Sequence, residues 1–105
     1  MTVRIRRERL LEILGNDEEI VVRLVEEGLI IDSSEGFDPR DVERALVART
    51  LLRDLDVNWP GVEVVLSMRD QLRATQQQIA QTIAALRKAA KERELADRDR
   101  GSDRG

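Results

Sequence analysis

From Val62 to about Leu95 the chain runs without a glycine or proline, and Leu55-Asp-Val-Asn-Trp-Pro-Gly-Val62 opens that run. The opening holds the only tryptophan and one of the two prolines. Proline brings a helical φ and gives up an N–H that a first turn leaves unpaired anyway. Asn58, just ahead, suits the capping of orphan amides. Alanine, glutamine, arginine and glutamate fill the run itself, all favourable helix formers. A single helix from about Trp59 to about Leu95 is therefore predicted. At 1.5 Å per residue, about 36 residues span on the order of 55 Å. A small head does not need so long an arm.

The arm carries a heptad. With Val62 at position a, later a sites are Arg69, Gln76, Ile83 and Ala90, and d sites are Val65, Leu72, Ile79, Leu86 and Arg93. The apolar seam is continuous at d through Leu86 and broken at a by Arg69 and Gln76. Polar a residues tend to specify register and oligomer state at some cost in stability. Leu72, Gln76, Ile79, Ile83 and Leu86 are the expected dimerisation residues of a homodimer, with parallel and antiparallel pairing both open. The competing arrangement folds the helix back on its own head. Ile79, Ile83 and Leu86 lie about 30 Å or more from the helix start, which disfavours it. Residues 96–105, rich in Asp, Arg, Gly and Ser, are expected to be a disordered tail.

Residues 1–58 read as a head. Val3 and Ile5 alternate with polar neighbours over Thr2–Arg6, as in a short edge strand. Leu10, Leu11 and Leu14 share a helical face that ends at Gly15. Asn16 followed by Glu19 reads as a capping-box variant. The helix it opens buries Ile20, Leu24 and Val21 or Val25, and stops at Gly28. Helix, glycine-containing turn, helix is the helix-turn-helix pattern. Leu29-Ile-Ile31 then reads as a strand, Asp32-Ser-Ser-Glu-Gly36 as a tight turn and Phe37 as the returning strand, a hairpin in the place of a wing. Asp38-Pro39 starts a further helix, with Val42, Ala45, Leu46, Leu52 and Leu55 near one stripe. The fold class is mainly α: a winged helix-turn-helix head with a small β-hairpin, followed by a long coiled-coil helix over residues 59–95.

Composition narrows the chemistry. Cysteine and histidine are absent, which removes disulfides, thiolate metal sites and imidazole catalysis. Glu18-Glu19 and Glu26-Glu27 are adjacent carboxylates, and neighbouring helix residues point in different directions. No Asp-x-Asp-x-Asp-Gly loop is present. A non-enzyme with no metal and no cofactor is expected. Without an 18-residue apolar span or a signal-peptide core, a cytoplasmic protein is expected too.

The Leu-Asp-hydrophobic-Asn-Trp-Pro-Gly-hydrophobic opening, over Leu55–Val62, resembles the bacterial chaperone-modulator family CbpM. That family is a MerR-like fold turned from DNA binding to control of a J-domain co-chaperone. The order of elements over residues 2 to about 95 resembles the MerR superfamily as a whole. Leu24-Val-Glu-Glu-Gly-Leu-Ile30 looks like the end of a MerR second helix, whose usual form has Arg-Tyr-Tyr-Glu before the Gly-Leu. Arg23 stands near that arginine, but Leu24 and Val25 replace the tyrosines. The MerR wing carries Pro-x-Arg and Gly-Tyr-Arg, whereas Ile31-Asp-Ser-Ser-Glu-Gly-Phe-Asp38 has no arginine.

Charge gives the departure an electrostatic meaning. Residues 1–58 hold nine arginines against fourteen acids, and residues 10–43 hold two against eleven. Lys and Arg contacts to phosphate supply most non-specific DNA affinity. A recognition helix from Asp17 to Glu27 with five acids and one arginine repels a duplex. Arg4, Arg6, Arg7 and Arg9 offset this in part, so a MerR-family DNA-binding transcriptional regulator is the alternative reading. The favoured one comes from the resemblance. It implies binding to the basic J-domain of a CbpA/DnaJ-type co-chaperone, with inhibition of its stimulation of DnaK. Charge and helical phase nominate Glu18, Val22, Glu26 and Glu27 on the second helix, with Asp32 and Glu35 in the wing. Trp59 is expected to pack the helix start against Leu52 and Leu55.

Overall fold

Two consecutive left-handed residues, Gly15 (φ 66°) and Asn16 (φ 63°), make the reversal that turns the first helix into the second. The computed structural model describes residues 3–102, with side chains through residue 99. It contains α1 (Arg7–Ile13), α2 (Glu18–Glu26), α3 (Pro39–Arg49), a wide π-type turn (Thr50–Asp54) and α4 (Trp59–Ser102). The chain divides into a head unit ending at Met68 and a second unit beginning at Arg69.

In the head, α1 buries Leu10, its C-cap Leu14 is fully buried, and α2 buries Ile20, Val21 and Leu24. Asn16 is not the cap expected of it. Its backbone is left-handed, a conformation its short amide tolerates, and Asp17 takes the N-cap position without a capping side-chain bond. The end of α2 is a Schellman motif around Gly28 (φ 71°). There Leu29 N donates to Leu24 O at 2.8 Å and Gly28 N to Val25 O at 3.1 Å.

The β-hairpin wing is not found among the described residues. Two isolated bridges replace it, Ser33 with Gly36 and Ile5 with Phe37. The backbone of residues 29–31 has other partners. Leu29 and Ile30 both donate to Leu24 O, Leu29 O accepts from Arg44 Nε at 2.8 Å, and Ile31 N donates to the Asp41 carboxylate at 3.0 Å. With those groups spent, no ladder forms. The expected edge strand likewise shrinks to Ile5, and Thr2 lies outside the described residues. Ile5 and Phe37 exchange both backbone bonds, at 2.9 and 2.7 Å, as in a hydrogen-bonded antiparallel pair.

Asp38 caps α3 by accepting from Arg40 N at 2.8 Å, with Pro39 next in line, as anticipated. Val42, Ala45 and Ala48 point into the core. Leu46 and Leu55 do not, being 38% and 62% exposed. Leu46 lies one step round the helix from Ala45. Leu55 falls after the wide turn, where Leu55 N reaches back to Thr50 O at 3.2 Å and Val57 N to Leu51 O at 2.8 Å. A π-type turn holds more residues per turn, so each residue rotates less and everything after it falls out of the 3.6-residue phase.

Asn58 caps α4 as expected, accepting from Gly61 N at 2.9 Å. A side chain on Gly61 would bring its Cβ to 2.6 Å from Val57 Cγ1 and 3.2 Å from the capping oxygen, so the motif requires glycine there. Val62 and Leu66 are fully buried in the head core with Phe37, Leu10, Leu14, Ile20 and Leu24. Val62, taken from the sequence as the first seam position, is thus committed to its own head. The helix continues through Ser102, beyond Leu95 and into the segment expected to be disordered, and residues 103–105 lie outside the described residues.

Gly36 carries φ 105°, and a Cβ there would stand 2.7 Å from Ile5 O. Gly36→Ala therefore strains the backbone and breaks the Ile5–Phe37 pair. Its expected cost is about 1–3 kcal/mol, read as a lower urea midpoint with an unchanged slope.

Candidate partner interface

On α2, Glu18, Val22 and Glu26 are four residues apart and form one row, away from the buried Ile20, Val21 and Leu24. Glu18 is well exposed, and Val22, at 39%, is partly covered. Glu26 makes no ion pair among the described residues. Glu27 belongs elsewhere. At 100° per residue it lies about 180° round from Glu18, and its Oε1 accepts from Arg23 Nε at 3.2 Å.

Arg7, at the start of α1, joins two of the nominated carboxylates. Its Nη1 donates to Asp32 Oδ2 at 3.3 Å, and its Nη2 stands 4.0 Å from Glu18 Oε1. The start of α2 and the turn after it therefore meet around one guanidinium. Beside them an open groove of about 470 Å³ is lined by Arg6, Arg7, Asp32, Ser34 and Glu35 among others. The turn itself is closed by Ser33 Oγ donating to Gly36 O at 2.7 Å.

Sequence reasoning missed the arginines that organise this surface. Arg23, the one cation of α2, lies 4.9 Å from the centre of the Trp59 ring and also holds Glu27. Trp59 is partly buried against the core, while Leu55, expected beside it, is exposed. A lone arginine on an acidic helix and a lone tryptophan at a helix start were the signals that could have found this contact. At the helix-turn-helix reversal, Arg53 donates to Asp17 through Nε at 2.8 Å and Nη2 at 3.2 Å, and reaches Glu19 at 3.5 Å. That hydrogen-bonded pair holds the Asp17 carboxyl below its ordinary value. Burial opposes the shift, and the charges of Arg53 and Arg49 and the Ile20 amide add smaller pulls.

The family model for MerR HTH regulatory proteins matches residues 5–84, from the Ile5 bridge into α4. The chain belongs to the MerR helix-turn-helix family. This MerR-family chain is 32% identical over 66 residues to the chaperone modulatory protein CbpM of Coxiella burnetii, in both the Dugway and the Henzerling II strains. The match takes in 58% of this chain and 62% of each relative, so the chain spans less than two thirds of their length. No solved structure matches it. Neither the family description nor the relatives' name denotes an enzyme. Among the described residues, no three or more acidic side chains cluster as a metal ion would need, and no helix is long and apolar enough to cross a membrane.

In the second unit Leu72, Ile79, Ile83 and Leu86 are exposed, with Gln76 among them. Two shallow hollows lie on this helix. One of about 210 Å³ is framed by Arg69, Leu72, Arg73 and Gln76, and one of about 380 Å³ by Leu86, Ala89, Ala90 and Arg93. Each frame has the spacing i, i+3, i+4, i+7, the four-residue hole that receives a knob from a facing helix.

The lowered Asp17 value sets a pH dependence. A carboxyl with a depressed folded value stabilises the fold above its unfolded value, about 3.9, and that contribution disappears as the pH falls through the folded value. Asp17→Asn should melt below wild type at pH 7. The gap should close as the pH is lowered from about 4 toward 2, tracked by circular dichroism melts across that range.

Proposed function

We propose that this chain is a cytoplasmic chaperone modulator. It binds the basic J-domain of a CbpA/DnaJ-type co-chaperone and inhibits that protein's stimulation of DnaK. The observation that carries the proposal is the similarity to CbpM together with the charge of α2, whose outward row bears carboxylates while its one arginine is held on Trp59. Glu18, Val22 and Glu26 form the centre of the contact, Asp32 and Glu35 extend it from the turn, and Glu27 borders it. Complementary potentials steer encounter and reject wrong partners, and Val22 supplies an apolar point within the charged row. No catalytic residue, metal or cofactor takes part.

A second reading has its own support. The family description is that of a regulatory protein, and Arg4, Arg6 and Arg9 are exposed. A DNA-binding regulator would use them on the phosphates. Pull-down of purified J-domain protein at low salt decides between the two, beside a gel shift on the chain's own promoter. Glu26→Lys with Glu27→Lys should weaken J-domain retention by about tenfold and strengthen non-specific DNA contact. Loss of DNA binding with retained J-domain binding in that variant would reverse the ranking.

Homodimerisation through the second unit completes the proposal, with Leu72, Gln76, Ile79, Ile83 and Leu86 as the contact seam. The exposed apolar side chains and the two four-residue hollows support it. Analytical ultracentrifugation at micromolar concentrations should give a dimer mass for the wild type and a monomer mass for Ile79→Lys with Ile83→Lys. A wild-type monomer throughout would remove the dimer.

A further inference from the structure

We infer that Arg7 is an internal competitor for the cationic partner, a contact that restrains the interface until it is displaced. The inference rests on the reading of α2 and its turn as the docking surface for a basic protein. Of the carboxylates nominated there, Glu18 and Asp32 come from different elements, and both are approached by the same guanidinium, at 4.0 and 3.3 Å. Arg7 is neither deeply buried nor free. Its side chain is 37% exposed, against 70% for Glu18 and 41% for Asp32.

A group in that setting neutralises part of the acidic surface and can still be replaced by a cation arriving from solvent. Glu26 and Glu35, with no ion pair among the described residues, are left as the first landing points. Glu18 and Asp32 are already exposed, and they lose their resident cation when Arg7 turns away. Two other head arginines do not share this role. Arg53 serves Asp17 and Glu19 at the helix-turn-helix reversal, and Arg23 serves Glu27 and Trp59 on a different side of α2. The geometry makes binding an exchange of one cation for another.

The test compares wild type with Arg7→Gln and Arg7→Lys in the full chain, against purified J-domain and against a hexalysine peptide. Exposed ion pairs of this kind hold their partners weakly. Arg7→Gln should therefore bind both probes about two- to fivefold more tightly, with a steeper dependence on salt. Arg7→Lys keeps the charge and should stay near wild type. Thermal melts of each variant show whether it remains folded. If Arg7→Gln is unfolded, the same comparison is made with Asp32→Asn, which frees Arg7 to cover Glu18 alone and should weaken hexalysine binding. Equal or weaker hexalysine binding by a folded Arg7→Gln overturns the inference. Tighter hexalysine binding with no retention of the J-domain upholds the inference and removes the chaperone reading instead.

Discussion

The closure of the head depends on Phe37. Its side chain is fully buried among Leu10, Leu14, Ile20, Leu24, Val62 and Leu66, and its backbone is paired on both bonds with Ile5. That pair draws the segment before α1 onto the segment between α2 and α3, two stretches separated in sequence by both α1 and α2. Gly36 permits the approach because a Cβ would occupy the space of Ile5 O. The core that results is apolar throughout, with no polar or charged residue buried among the described ones. Most charges of the head therefore sit at the surface, where a single ion pair contributes little; Asp17, 16% exposed, and the buried Nε of Arg49 are set deeper. The pattern of charge, more than any one pair, is what distinguishes this face.

Much of this was legible in local sequence, because the signals were local. Asp38-Pro39 and Asn58 cap the helices they were expected to cap, through bonds that span two or three residues. Gly28 ends α2 because the Schellman motif needs a left-handed residue at that point. The resemblance to the CbpM family is carried by the Leu55–Val62 opening. The structure gives that string a physical content: a cap at Asn58, a ring that receives Arg23 and a glycine that leaves room for the cap.

What was missed depended on partners distant in sequence. The run Leu29-Ile-Ile31 has strand composition, yet its carbonyl and amide are claimed by Arg44 and Asp41 from the next helix. No pattern within the run announces that. Leu55 was placed on the α3 stripe by counting at 3.6 residues per turn, and a single wide turn at Thr50–Asp54 invalidates the count. Val62 fits a heptad as well as it fits a head core. Only the depth of the pocket formed by other elements decides that it is buried with Leu66. For the candidate interface, charge and helical phase group Glu18, Val22, Glu26 and Glu27, whereas Glu27 turns to Arg23, and charge counting could not show that Arg7 bridges Glu18 to Asp32.

Two separate features bear on how a helix-turn-helix with this charge pattern would meet DNA, and their magnitudes differ. Arg23 is held by the Trp59 face and by Glu27. An exposed cation–π contact is worth about 0.5–1 kcal/mol and an i,i+4 ion pair about 0.3–0.5, so a phosphate could draw Arg23 away at modest cost. The clamp alone is not a barrier. The outward row is different, because Glu18 and Glu26 meet a phosphate backbone as like charges whichever way Arg23 points. A DNA-binding protein gains affinity with each phosphate it neutralises, and this helix would add negative charge beside the backbone with each carboxylate it presents. The sign of the row, set by residue choice at positions outside the buried core, therefore weighs in the proposed reading toward a cationic partner over a phosphate backbone, on a MerR scaffold.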